Sequence, residues 1–228
     1  MNNSQLKPPA RPAGVAAAVA VPHTPGMGRR ERRAAETRVR LFRCALQLFA
    51  ERGFSNVTVE EITEAADVGK GTFFNYFESK DHVLGVMAEI QLGKGKEAAL
   101  HAGEGKQAIY AVLRRLVQRL AEEPGRSPSL ARAMISSFLA SEAVRGIIKR
   151  HMREGRKTIA EIVAAGQERG EIDPRLNKEK VALQFLQMVM GTVLLWSLHG
   201  EPALKAWLED SFQHYWRAIG VSGREQEP

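Results

Sequence analysis

The chain has 228 residues, enough for one or two domains, and its 44% hydrophobic content can bury a sizeable core. A net charge of +7 suits a polyanionic partner, although charge speaks to association and not to fold. The single cysteine, Cys44, excludes an intrachain disulfide and points to the cytosol. Charge is denser at the N-terminal end: residues 1–80 carry +4, the remaining 148 only +3.

Residues 1–27 are rich in Pro, Ala and Gly, lack periodicity and are expected to form a disordered arm. The Ala/Val run 15–21 inside it is too short and too closely set among prolines for a signal peptide. Residues 29–33, Arg-Arg-Glu-Arg-Arg, form a basic cluster ahead of the first helix. They read either as a solvated helix start or as an arm placing Arg32 and Arg33 on phosphates or in a minor groove.

The first helix is predicted over about residues 35–52. Leu41, Ala45, Leu48 and Phe49 form its apolar stripe, and Gly53 is placed to cap its C-terminus. Cys44 lies in this helix as a small, partly buried residue, with a redox-sensing thiol as the alternative.

Residues 58–80 carry the strongest signal. Thr58 and Glu61 have the spacing of a capping box. Val59, Ile62, Ala65 and Ala66 then share one helical face, and Gly69 is expected to take the turn conformation closed to most residues. A second helix starts near Lys70. Phe73 and Phe77, four apart, can pack on the first helix, while Lys70, Thr72, Phe74, Asn75 and Tyr76 occupy the other face. Two helices around a tight turn, the second bearing polar and basic side chains, is the pattern that sets a recognition helix into the major groove.

Residues 37–84 resemble the DNA-binding domain of the TetR family of bacterial transcriptional regulators. The resemblance lies in Thr37-Arg38, in residues 45–54 (Ala-Leu-Gln-Leu-Phe-Ala-Glu-Arg-Gly-Phe), in residues 59–66 (Val-Glu-Glu-Ile-Thr-Glu-Ala-Ala), in residues 71–77 (Gly-Thr-Phe-Phe-Asn-Tyr-Phe) and in Ser79-Lys80. Three positions depart from it: Asp67 stands where the family has Gly, Gly69 where it has Ser, and Phe74 where it has Tyr. The first two imply an altered turn and a lost helix cap, the third a missing hydroxyl.

Chemistry and resemblance together assign expected roles. Lys70 and Asn75 are candidate base readers, since lysine suits guanine acceptors and asparagine can pair with adenine. Phe74 can meet a thymine methyl, and Gly71 belongs to the same surface. Thr58, Thr72, Tyr76 and Lys80 are candidate phosphate contacts. A fourth helix is expected from near Ser79 to about 100. Lys80 in its first turn opposes the helix dipole, which a phosphate would offset; the resemblance places a phosphate contact there too.

Further helices are predicted at about 106–122, 128–139, 141–169, 178–199 and 201–219, separated by Gly- and Pro-bearing breaks. Residues 223–228 are expected to be loose. Helix 178–199 is apolar on nearly all sides, although Gln184, Gln187, Thr192 and Ser197 argue against a membrane span. A helix of that kind is expected to pack inward on one face and meet a partner chain on another, the alternative being a fully internal core helix in a monomer. Phe185, Val189, Val193 and Trp196, with Trp207, Phe212 and Tyr215 on the last helix, are the expected interface. The resemblance implies the same, a dimer built on the last two long helices.

No chemistry of catalysis is legible. Residues 69–72, Gly-Lys-Gly-Thr, lack the spacing of a phosphate loop, and the six histidines have no metal-ligand spacing. Met87, Ile90, Leu113, Leu116, Met134, Phe138, Ile148, Phe185 and Met188 are candidate walls of an apolar cavity, each equally readable as plain core. Gln187, Thr192 or His151 could orient a ligand. The resemblance implies a pocket whose ligand moves the reading heads apart.

The expected protein is therefore all-α and cytoplasmic. Residues 1–27 are an arm, 28–80 a three-helix helix-turn-helix domain and 81–222 a helical bundle for ligand binding and dimerisation. Its partners are a palindromic DNA operator, a second copy of itself and an unknown small-molecule effector, with no metal, cofactor or membrane. A ligand-independent or protein-controlled DNA-binding regulator is the alternative; a helical adaptor that binds no DNA, or an enzyme, stands behind it.

Overall fold

The computed structural model describes residues 28–221, so the expected arm and loose tail lie outside the described residues. Among these residues the only extended pairing is an isolated bridge between Ile172 and Gly220; all regular structure is helical.

Helix α1 spans Arg29–Arg52 and starts six residues before its expected position. The cluster 29–33 forms its first turns. The Glu31 carboxylate accepts from the Gly28 N–H (3.0 Å), and the Thr37 hydroxyl donates to the Arg33 carbonyl (2.9 Å). Arg32 and Arg33 thus stand on an exposed helical surface, not on an arm ahead of the helix. Gly53 ends α1 at φ 79°, its N–H donating to the Phe49 carbonyl at 2.9 Å.

Helix α2 (Val59–Ala65) and helix α3 (Lys70–Phe74) form the hairpin. The capping box is formed: Thr58 Oγ1 accepts from the Glu61 N–H (3.2 Å), and the Glu61 carboxylate accepts from the Thr58 N–H (2.8 Å). Ile62 and Ala66 are buried, but Ala65 is exposed and lies off the packed face. The turn corrects the expectation for Gly69. That residue has ordinary extended geometry (φ −72°, ψ 151°), and the left-handed position is Asp67, at φ 51°. Aspartate tolerates this region better than most residues, so a glycine is not required. Gly69 is the N-cap of α3 and has no side chain to cap it.

The body comprises α4 (Lys80–Glu104), α5 (Ile109–Leu120), α6 (Pro128–Ala140), α7 (Glu142–Glu168), α8 (Lys178–His199) and α9 (Leu204–Ile219). Side-chain caps set four of the starts. Ser79, Ser127, Ser141 and Asn177 each accept from the N–H three residues on.

Two hydrophobic clusters result. One joins Phe49, Phe54, Ile62, Phe73 and Phe77 of the hairpin region to Val83, Leu84, Val86 and Met87 on α4, Leu130 and Ala133 on α6, and Val144 on α7. The head's core therefore crosses residue 80 and runs into the body. The other cluster is built from α5, α7, α8 and α9, with Phe185, Trp196, Leu208, Phe212 and Tyr215 at its centre.

Candidate DNA-reading surface and ligand cavity

Burial of Phe73 and Phe77 (0% and 1% exposed) fixes how α3 sits on α1 and α2, and thereby which side chains face outward. Lys70, Gly71, Phe74 and Asn75 are exposed, and Thr72 and Tyr76 half-exposed. Phe74 is 49% exposed, an aromatic ring held at the surface beside Asn75. The structure thus leaves these six positions at the surface of one short helix and the turn that follows it. Helix α3 ends at Phe74, earlier than its pattern suggests, and residues 75–76 continue as a turn on the Phe73 carbonyl.

Two electrostatic details modify the expected roles. Lys70 is hydrogen-bonded and ion-paired to Glu60 of α2, and that bond is the main reason the Glu60 carboxyl sits below its ordinary range. Both groups are exposed, so the pair is weak and easily traded for a phosphate or a base edge. Lys80 has a different position from the one expected. Its ammonium donates to the carbonyls of Phe54 (3.0 Å), Val57 (2.9 Å) and Ser55 (3.4 Å), and lies 4.7 Å from the centre of the Phe54 ring. Three acceptors use its three donors. Lys80 clasps the loop between α1 and α2 onto α4 instead of standing free for a phosphate.

Cys44 is half-buried, its thiol directed at the Ala65 carbonyl (3.4 Å). Burial pushes its pKa up, against the pull of Arg40, which disfavours the thiolate a redox sensor needs.

A cavity of about 180 Å³ opens among α4, α5, α6, α7 and α8. Of the expected wall residues, Met87, Leu116, Met134, Phe138, Ile148 and Phe185 line it. Ile90 packs instead on the head cluster, while Leu113 and Met188 belong to the body core. The only polar side chains in the wall are Gln91 and His151. Thr192 is bonded to Ser211 (3.1 Å) and Gln187 is exposed, so neither reaches it. Gln91 was not legible as a wall residue, because nothing in its sequence neighbourhood separates it from the surface glutamines.

Next to the cavity lies a buried ionic cluster. Lys94 (6% exposed) donates to Glu123 (2.6 Å), Glu122 (3.0 Å) and the Arg119 carbonyl (2.7 Å), while Gln91 Nε2 donates to Glu123 Oε2 (2.8 Å). It ties α4 to the turn after α5.

The expected dimer residues are placed inward. Phe185, Val189, Val193, Trp196, Phe212 and Tyr215 are all buried within the single chain. The Trp196 indole donates to the Pro202 carbonyl (2.9 Å) and the Tyr215 hydroxyl to the Val181 carbonyl (3.1 Å). Trp207 alone is half-exposed. The apolar residues that α8 leaves at the surface are Leu183, Leu194, Leu195 and Leu198, the last 64% exposed. By length and composition α8 could cross a membrane, yet its inner face is part of the body's core. Among the described residues no cluster of His, Cys, Asp and Glu could hold a metal ion.

A helix-turn-helix head fused to a helical body with an apolar cavity is the make-up of a DNA-binding regulator that carries its own cavity. Residues 41–87 match the family model of bacterial regulatory proteins of the tetR family, and residues 130–212 match that of the tetracyclin repressor-like C-terminal domain. The chain is 31% identical over 195 residues to the transcriptional regulator TcmR of Streptomyces glaucescens, covering 79% of this chain and 82% of that one. Among solved structures, FadR of Thermus thermophilus in complex with lauroyl-CoA aligns with a TM-score of 0.58 and 27% identity over 84% of this chain and 99% of its own. FadR of Bacillus subtilis with stearoyl-CoA gives 0.65 and 19%, over 79% and 98%. The chain belongs to the TetR family of bacterial transcriptional regulators, DNA-binding proteins that are not enzymes.

Proposed function

We propose that the protein is a cytoplasmic homodimeric repressor that leaves a palindromic operator when a small molecule enters its cavity. One observation carries this reading: α4 belongs to both sites. Its first residue, Lys80, clasps the head, and Met87, Gln91 and Gly95 further along it line the cavity. A ligand that moves α4 moves the head with it, provided that it binds the moved form more tightly. The Asp81–Ser141 hydrogen bond (2.6 Å) and the Lys94 cluster are the ties such a movement strains.

Asn75, Phe74 and Lys70 read bases, and Thr58, Thr72 and Tyr76 meet phosphates. Arg32 and Arg33, exposed on the first turns of α1, are further contacts for the DNA backbone. Dimerisation uses the outer face of α8, through Leu183, Leu194, Leu195 and Leu198, with Trp207 of α9 at its margin. The two heads then address half-sites roughly 34–36 Å apart, one helical turn.

The test is selection of bound sites from random duplex DNA by the purified protein at several salt concentrations. An enriched palindrome with a steep salt dependence is expected; binding without enrichment would refute the operator reading.

A further inference from the structure

Resting on the ligand-released reading above, we infer that the effector is an anionic amphiphile. Its apolar chain fills the cavity, and its head, a carboxylate, sulfate or phosphate, stays at the mouth on the α7 cations Arg145, Lys149 and Arg156.

The cavity suits the chain. Its wall is apolar apart from Gln91 and His151 and holds no Lys, Arg, Asp or Glu. A hydrocarbon gains from entering such a space, whereas a charge drawn in with it gives up its hydration at high cost. Met152 both lines the cavity and is 37% exposed; every other wall residue is buried or half-buried. The cavity therefore meets solvent at Met152.

Helix α7 concentrates positive charge at that point. Residues 143–160 hold six cations and one carboxylate, Glu154, a net +5, against +3 for the whole of residues 81–228. Residues three and four apart are neighbours on a helix surface. Arg145, Lys149, Met152 and Arg156, at steps of four, three and four, therefore form one stripe, with cations on both sides of Met152.

The contacts of the two outer cations show which way the stripe faces. Arg145 donates to the Leu139 carbonyl (2.9 Å) at the end of α6, next to the wall residue Phe138. Arg156 pairs with Glu179 in the first turn of α8 (3.7 Å). Both of these helices also line the cavity, α6 through Ile135 and Phe138 and α8 through Leu186 and Met190. The Arg156–Glu179 pair is solvent-exposed and weak, so an anion can displace it. Lys149 is exposed and has no ion-pair partner among the described residues. A cationic head would be repelled by this stripe, and a neutral one would leave it unused.

The test is calorimetric titration of the full-length protein, in physiological salt, with octyl sulfate, 1-octanol, octyltrimethylammonium and butyl sulfate. Octyl sulfate is expected to bind at one site per chain, about tenfold more tightly than the alcohol or the ammonium. It should also bind about a hundredfold more tightly than butyl sulfate, whose chain is four methylenes shorter. In Lys149→Gln/Arg156→Gln its affinity should fall about tenfold, to that of 1-octanol, while 1-octanol binds as before. Arg150→Gln/Lys157→Gln removes the same charge from the opposite face of α7 and should change octyl sulfate binding by less than about twofold. No binding of octyl sulfate, binding no tighter than that of the alcohol or the ammonium, or equal loss in the two double variants overturns the inference. So does a smaller salt slope of operator binding in Lys149→Gln/Arg156→Gln alone, which would give the stripe to DNA phosphates. If a variant fails to fold, the wild-type series decides alone. Parallel titration against operator DNA separates the two readings. Octyl sulfate bound without DNA release refutes ligand-released repression and leaves the site standing, whereas release by 1-octanol as readily as by octyl sulfate does the reverse.

Discussion

Lys80 shows how a side chain's role depends on what lies within its reach. From sequence, a lysine in the first turn of a helix opposes the dipole and invites a phosphate. In the fold, the carbonyls of Phe54, Ser55 and Val57 come within its reach and supply that negative charge. Lys80→Met should therefore lower stability by about 1–3 kcal/mol, as two partly buried carbonyls lose their donor. Denaturant melts give that number. The salt dependence of operator binding should stay unchanged; a slope smaller by about one would return Lys80 to the phosphates. Asn75 is the contrasting case, exposed and uncommitted on the reading patch. Asn75→Ala should relax preference at a single base position, by about 1–3 kcal/mol against the wrong base. Profiling across a randomised site library measures this, and an unaltered profile would refute the role. Asp67 was legible only as a departure from the family. Its φ of 51° explains why the family's glycine fits that position.

At the scale of elements, the boundaries set by local chemistry were readable. Thr58, Ser79, Ser127, Ser141 and Asn177 cap helices through bonds to residues three positions away, and that spacing is visible in a linear chain. The start of α1 was missed because its cap is a glycine, and the signal is Glu31 reaching back to it. Contacts between elements were not readable. Glu209 on α9 is an example. Burial raises its pKa, but hydrogen bonds from Gln213 (2.9 Å), Arg114 (2.7 Å) and Gln118 (3.2 Å) outweigh burial and leave the carboxyl below its ordinary value of 4.5. A carboxylate depressed in the fold stabilises it above the unfolded pKa, and that contribution is lost as pH falls through the folded value. The wild-type protein should thus lose stability from about pH 5 downward more steeply than Glu209→Gln, with the variant less stable near neutrality. Thermal melts across that range compare the two, and parallel curves would remove Glu209 from the account.

For the whole molecule, the proposed assembly rests on the outer face of α8. Leu183, Leu194, Leu195 and Leu198 form an apolar surface that one chain leaves uncovered. Replacing Leu194 and Leu198 together with Glu should give a folded monomer, since neither side chain supports the internal core. Light scattering should register half the mass, and operator affinity should fall by about two orders of magnitude or more as the half-sites lose their linkage. A dimer of unchanged mass would move the interface elsewhere. The head is linked to the body by α4 and also by Leu130, Ala133 and Val144 in its core, so a shift in the cavity wall meets a continuous packed path.

The all-helical class, the helix-turn-helix hairpin and the apolar character of α8 are legible in the chain alone, because caps, periodicity and motif spacing act over a few residues. Folding alone reveals which face of α8 turns inward, that Phe185, Trp196 and Tyr215 are buried within one chain, that Lys80 is a clasp, and that Gln91 joins the Lys94–Glu123 cluster beside the cavity. The clasp joins residues 23 to 26 apart in the chain and the Gln91–Glu123 bond residues 32 apart, pairings that helical periodicity cannot name.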